Sequence, residues 1–546
     1  MKLKWTALPL WLVFCAACTN KPAADLLVFN AKIYTIDSSF SVQEAMVIDK
    51  GKVMATGTAA SLREKYTFRD SLNANGKFIY PGFNDAHAHF VGYAETLRTA
   101  SLVGTKSWDQ ILSLVKEFAS THPEGWIVGH GWDQNDWENK TFPDNKVLNA
   151  LFPDRPVLLT RIDGHAAIAN QKALETAKIT AGQPLVGGKV LVKNEVMTGL
   201  LIDNAVDLVS KAIPAITTKE FTRVITQAQQ NCLAVGLTSL TDCGLDHPVV
   251  EQLQKLQQDN LLKLRLNVML SDKPDNYRFA ETKGMILEDR LQVRSFKVYG
   301  DGALGSRGAC LLHPYDDDKD NVGFLLSNPA HFDSVANWCA TKGWQMNTHA
   351  IGDSGNRTIL QIYGRYLQPA NDKRWRIEHA QVVNENDLAL FGKYGVIPSV
   401  QPTHATSDMY WAEKRLGATR IKTAYAYQQL LAQNQWMPLG TDFPVEDISP
   451  FKTFYAAVFR QDASGWPATG FQMDNALTRE QTLRGMTHWA AKGSFEENKK
   501  GSLEPGKWAD FIILDQDLMS TPAEAILNTR VVATYINGEK VYGIKN

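Results

Sequence analysis

His87 and His89 close the apolar stretch Pro81-Gly82-Phe83-Asn84-Asp85-Ala86-His87-Ala88-His89-Phe90. Successive side chains of a strand point to opposite faces, so residues two apart share one face. Two imidazoles side by side can chelate a divalent ion, although His-x-His also suits two histidines that merely satisfy hydrogen bonds. Four further residues sit at or near the ends of apolar runs: Lys297, His349, His379 and Asp442. A buried lysine is costly unless it is paired or chemically changed. Carbamylation by CO2 would turn the Lys297 amine into an anionic carboxylate able to bridge two metal ions. A divalent ion lowers the pKa of bound water from about 16 to about 7, which makes hydroxide available to attack a polarised carbonyl. A carboxylate beside such a hydroxide can act first as base and then as acid.

The elements that must position these residues are eight apolar runs ending in polar residues: Phe83–His89, Gly236–Asp242, Leu264–Leu270, Ser295–Asp301, Gln345–His349, Arg376–His379, Ile397–Gln401 and Met437–Asp442. Helical patterns lie between them, as in Phe221–Ala234, Val249–Asn260, Phe332–Lys342 and Asn384–Tyr394. Alternating strands and helices predict an α/β fold, here a (β/α)8 TIM barrel with its active site at the C-terminal strand ends. The gap between the first and second runs predicts a large cap insertion, about residues 105–230, with strand-like runs Trp126–Gly131 and Val157–Ile162. Residues 26–80 and 496–546 are both β-patterned, with turn signals at Asp49-Lys50-Gly51-Lys52 and Asn537-Gly538. They are expected to form one small β-sandwich, leaving residues 81–495 for the barrel.

Lys and Arg total 57 against 58 acidic residues among 546. That balance provides no basic field for nucleic acid. Hydrophobic residues at 44% fit a globular chain. Residues 1–18 read as a signal peptide: Lys2 and Lys4 precede the apolar run Trp5–Phe14, and Phe14-Cys15-Ala16-Ala17-Cys18 follows. This segment resembles a bacterial lipoprotein signal, which implies cleavage before Cys18 and its diacylation. Cys15, where leucine is commoner, leaves simple cleavage open. The expectation is an exported protein on the periplasmic or outer side of a bacterial cell, anchored by its N-terminal lipid, with residues 19–25 as linker. The remaining cysteines, Cys232, Cys243, Cys310 and Cys339, lack zinc-ribbon spacing and read as small buried residues. One disulfide among them stays open.

The six candidate ligands stand in longer motifs, including Arg161-Ile162-Asp163-Gly164-His165, Lys297-Val298-Tyr299-Gly300-Asp301-Gly302-Ala303-Leu304-Gly305-Ser306-Arg307, His349-Ala350-Ile351-Gly352-Asp353, Gln401-Pro402-Thr403-His404 and Gly440-Thr441-Asp442-Phe443-Pro444-Val445. With the opening His-x-His motif and the closing Gly501–Leu514 run, this set resembles the amidohydrolase superfamily. The likeness is to its amidohydrolase-3 branch, which includes the YtcJ-like proteins and N-substituted formamide deformylase. The resemblance implies that His87, His89 and Asp442 hold one ion, that His349 and His379 hold a second, and that carbamylated Lys297 bridges them. Zinc is the expected metal for such ligands, and iron or manganese would fit the same set. The implied reaction is hydrolysis of a non-peptide C–N bond in a small amide or N-substituted formamide. Esters, lactones and cyclic amides stay open, because hydroxide attacks any polarised carbonyl. His165, His404, Arg307, Trp132 and Asp133 are expected to face substrate. A one-metal deaminase of the superfamily is the competing enzyme, but it would need a glutamate at position 352, which is glycine. A lipid-anchored binding protein with a degenerate barrel is the non-enzyme alternative.

Overall fold

The computed structural model describes residues 21–544, so the predicted signal segment and Cys18 lie outside the described residues. Seven parallel strands stand side by side in chain order: Phe83–Ala88, Leu237–Leu245, Arg265–Ser271, Leu291–Tyr299, Gln345–Ala350, Arg376–His379 and Ile397–Ser399. We number them barrel strands one to seven. The eighth predicted strand, Met437–Asp442, is not regular. Pro438 has no N–H to contribute to a ladder, and the contact with strand seven shrinks to one parallel bridge, Val400 with Leu439. The segment still closes the ring. Gly440 N donates to Val400 O at 3.1 Å, Ala86 N donates to Leu439 O at 3.1 Å, and Asp442 N donates to His87 O at 2.8 Å. Asp85 reinforces the seam, since its carboxylate accepts from Thr441 N and Oγ1 and from His87 N.

Register determines what fills the barrel. Lys297 pairs with Asn347 and Asn347 with Arg376, while Tyr299 pairs with His349 and His349 with Glu378. Residues in register on neighbouring strands share a face, so these polar side chains line the interior in layers. The alternating Phe296, Val298, Met346 and Ile377 join the apolar cluster under the surrounding helices.

The insertion builds its own six-stranded sheet from Ala100–Ser101, Ile127–Trp132, Val157–Arg161, Ala166–Ala169, Gly188–Lys193 and Val196–Asp203. Val157 and Leu159 pack on one face, Leu158 on the other, as strand alternation requires. It ends earlier than predicted. Helix Thr218–Ala234 sends Phe221, Val224, Ala228 and Leu233 into the barrel's core cluster, so it belongs to the barrel.

Both ends of the chain do meet in one β layer. Glu539–Gly543, Val531–Ile536, Phe511–Leu514, Thr67–Pro81, Ala23–Tyr34, Ala45–Asp49 and Lys52–Gly57 follow one another in a single hydrogen-bonded sheet, rather than in the two separate sheets expected of a sandwich. Its first strand starts at Ala23, inside the stretch read as linker. Arg265 of barrel strand three joins sheet and barrel. Its guanidinium lies 3.6 Å from the Trp508 ring centroid and donates to Asp510 Oδ1 at 3.1 Å. Cys232, Cys243, Cys310 and Cys339 are free thiols. No helix among the described residues is long and apolar enough to cross a membrane.

The closing seam predicts a sensitive position. A Cβ on Gly440 would stand 2.6 Å from His87 N and 2.8 Å from Asp85 Oδ1. Gly440→Ala should therefore lower stability by about 1–3 kcal/mol, the usual cost of overpacking. Urea unfolding measures this, and an unchanged midpoint would show that the seam yields freely.

Candidate metal centre

Asp442 is the hub of the site. Its Oδ1 lies 3.2 Å from His89 Nε2 and 3.5 Å from His87 Nε2. Its Oδ2 lies 3.4 Å from His404 Nε2 and 3.9 Å from His379 Nδ1. Two triads therefore have ligand atoms within 4.8 Å of one another: His87, His89 and Asp442, and His379, His404 and Asp442. Asp442 has φ +65°, a left-handed conformation that disfavours non-glycine residues. Such strain persists where surrounding structure over-determines it. Here the bond from Asp442 N to His87 O and the bond from Val445 N to Asp442 O at 2.9 Å do so.

His379 is similar. Its register partner is Ala350, which would send its side chain to the face opposite His349 and Glu378. A φ of +74° breaks the alternation. The ring lies 4.7 Å from that of His87 and 4.6 Å from that of His349, centroid to centroid. Lys297 has no exposure and forms no ion pair among the described residues. Its Nζ lies 3.1 Å from His87 Nε2 and 5.0 Å from the Tyr299 ring centroid.

Electrostatics suit a cation. Burial lowers His87, with the charge of Lys297 adding to it, although Asp442 opposes. Burial also lowers His349 and His379, each helped by neighbouring imidazoles. Burial thus favours the neutral imidazole, the form that ligates a metal. Burial would raise Asp442, but the nearby His87, His89 and then His404 hold it well below the usual carboxylate range. His349 Nε2, His404 Nε2 and Asp442 Oδ1 are buried without a hydrogen-bond partner. Buried polar atoms left this way are costly; His404 and Asp442 belong to the candidate triads, whereas His349 stands outside both, its Nε2 3.8 Å from Asp301 Oδ1.

The other predicted residues divide. His165 reaches the mouth from the insertion, its ring 5.1 Å from that of His349, with Nδ1 2.6 Å from Asp203 Oδ1. Burial would lower it, but the hydrogen bond and charge of Asp203 raise it above the usual histidine value. The Asp203 carboxylate is seated where Cβ atoms on Gly302 and Gly308 would meet it at 2.8 and 2.7 Å, which accounts for Gly302 of the strand-four motif and for Gly308 just after it. His404, expected to touch substrate, stands against Asp442, its Nε2 3.4 Å from Oδ2. Asp133 pairs with the buried guanidinium of Arg161, which Asp163 also holds. Arg307 pairs with Asp317 at 2.9 Å. Arg415 shares Asp317 and donates to Asn135 Oδ1 of the insertion at 3.1 Å. Trp132 is fully buried in the insertion's core, with Nε1 donating to Leu159 O at 2.8 Å, so it packs rather than facing the mouth.

Two buried carboxylates escaped the sequence reading. Asp301 accepts from the backbone of Ile351, Gly352 and Cys310, tying the strand-four loop to the end of strand five. Burial pushes it up to about 7 despite those donors. Glu378 accepts from His87 Nδ1 at 2.6 Å. Its position two residues after Arg376 put both on one strand face, a signal that strand alternation alone could have supplied.

Comparison with known proteins shows the family. The chain is 32% identical to Protein LONG AFTER FAR-RED 3 of Arabidopsis thaliana, over 95% of this chain and 92% of that protein. It is 29% identical to the putative amidohydrolase YtcJ of Bacillus subtilis, covering 93% and 98% respectively. The N-substituted formamide deformylase of Arthrobacter pascens is 23% identical, covering 94% and 97%. An uncharacterized metal-dependent hydrolase from Pyrococcus horikoshii superposes with a TM-score of 0.75 at 26% identity, over 91% of this chain and 99% of that one. The pattern of the amidohydrolase family matches residues 70–542, and with that span covered the chain belongs to the amidohydrolase family.

Proposed function

We propose that the protein is a metal-dependent hydrolase that cleaves a non-peptide C–N bond in a small amide or N-substituted formamide. One observation carries the reading: an ionised Asp442 joins two histidine pairs, His87 with His89 and His379 with His404, and in each triad the ligand atoms lie within 4.8 Å of one another. His87, His89 and Asp442 would hold one divalent ion. His379 and His349 would hold a second, with His404 close enough to Asp442 to join it. Zinc suits these nitrogen and oxygen donors. When bound, the metal supplies Lewis acidity that activates water near neutral pH and polarises a carbonyl.

The chain's own residues do the rest. Asp442 accepts a proton from the attacking water and delivers it to the departing nitrogen, a single group acting as base and then acid. His165, fixed through Nδ1 by Asp203, is oriented to hydrogen-bond the substrate carbonyl oxygen. Unmodified Lys297 donates to His87 Nε2, the nitrogen needed for the first ion. Carbamylation would remove that competing donor and supply an acceptor in its place. The relative named as a formamide deformylase supports the bond type. The deaminase reading lacks its glutamate, and the fold leaves no room for one, since a Cβ at Gly352 would lie 2.0 Å from Cys310 O. Anchoring through Cys18 at a bacterial surface completes the proposal.

Prolonged chelation should abolish hydrolysis of N-formyl and N-acyl amines, and zinc should restore it; activity in a metal-free preparation would end the metal reading. Asp442→Asn should leave folding intact while turnover falls about 10²–10⁴-fold, the size of a lost acid–base group. Near-normal turnover would refute the role. Lys297→Met should remove the carbamate signal that 13C-bicarbonate produces by NMR in the wild type. No signal in the wild type would leave the bridging position without a ligand.

A further inference from the structure

The hydrolytic reading assigns nothing to Glu378, yet this side chain is completely enclosed in the barrel. Its Oε2 is 2.6 Å from His87 Nδ1, its Oε1 is 2.7 Å from Arg376 Nε, and all three side chains have zero exposure. Burying such charges costs several kcal/mol per ion before pairing offsets it. Balancing Arg376 explains one carboxylate oxygen and leaves the other unexplained.

The second oxygen acts on His87. A neutral imidazole carries one N–H, and an acceptor at Nδ1 draws it there, leaving the lone pair on Nε2. Nε2 is the nitrogen that faces the centre, 3.5 Å from Asp442 Oδ1 and 3.1 Å from Lys297 Nζ. A carboxylate behind a ligating imidazole fixes its tautomer and ring orientation and raises its basicity. Arg376 steadies the carboxylate in turn, since its Nη2 also donates to Ala86 O at 3.3 Å, one residue before His87. Barrel strand six thus reaches across to hold the first metal-facing residue of strand one from behind.

Resting on the metal reading above, we infer that Glu378 is a positioning residue: it sets the His87 tautomer and thereby the affinity of the first ion position. The test is the zinc dissociation constant, measured by chelator competition on wild type, Glu378→Gln and Glu378→Asp, with melting of the metal-free proteins as the folding control. Glutamine keeps the volume but loses the charge. Aspartate keeps the charge near Arg376 but is one methylene shorter, so it withdraws from His87. Both should weaken zinc binding about 10–100-fold. A role confined to neutralising Arg376 would leave Glu378→Asp at wild-type affinity, and that result overturns the inference. Should neither variant fold, a zinc-loaded wild-type crystal structure decides. Ligation of His87 through Nε2 with Nδ1 on Glu378 supports the inference, and ligation through Nδ1 overturns it. Wild type that binds no zinc overturns this inference and the metal reading together.

Discussion

An ionised carboxylate enclosed among imidazoles is the constraint on which this molecule depends. Asp442 is held below the ordinary carboxylate range by its histidine neighbours. It stands in a left-handed backbone conformation that would relax if the chain around it were free. The chain is not free, because the segment carrying Asp442 also closes the barrel between strands one and seven. Fold closure and site assembly are therefore one event. A side chain forced onto Gly440 strikes the same backbone that presents His87.

The polar barrel interior follows from the same demand. An ordinary α/β barrel fills its centre with branched apolar residues, whereas Lys297, Asn347, His349, Arg376 and Glu378 occupy the upper layers here. Such residues are tolerable when each finds a partner. Glu378 balances Arg376 and fixes His87, Asp301 collects three backbone N–H groups, and Asp203 carries His165 in from the insertion. Among the buried side-chain atoms without a hydrogen-bond partner are His349 Nε2, His404 Nε2 and Asp442 Oδ1.

Much of this was legible beforehand because strand alternation and strand ends are local signals. Seven of the eight runs are strands at or within a few residues of the predicted bounds, and His87, His89, His349, His379, Lys297 and Asp442 gather at one mouth. The motifs that pointed to the amidohydrolases did so correctly. What could not be read was settled by packing across long sequence separations. Pro438 left the eighth run without a ladder, the helix from Thr218 proved to belong to the barrel, and the two β-rich ends joined in one sheet. That His404 stands against Asp442 was not legible, because the two lie on different strand ends. Trp132 was expected at the substrate because an indole in an insertion gives no hint from sequence of the core it fills. His379 shows the limit in the other direction: alternation alone would have turned it away from the site, and only its backbone φ restores it.

The most direct measurement is an anomalous difference map recorded at the zinc edge from crystals of the zinc-loaded protein. The account predicts a peak within about 2.0–2.2 Å of His87 Nε2, His89 and Asp442, the distances zinc keeps to nitrogen and oxygen, with a second beside His379. A map with no peak at that mouth, or with zinc bound only elsewhere on the protein, would contradict it.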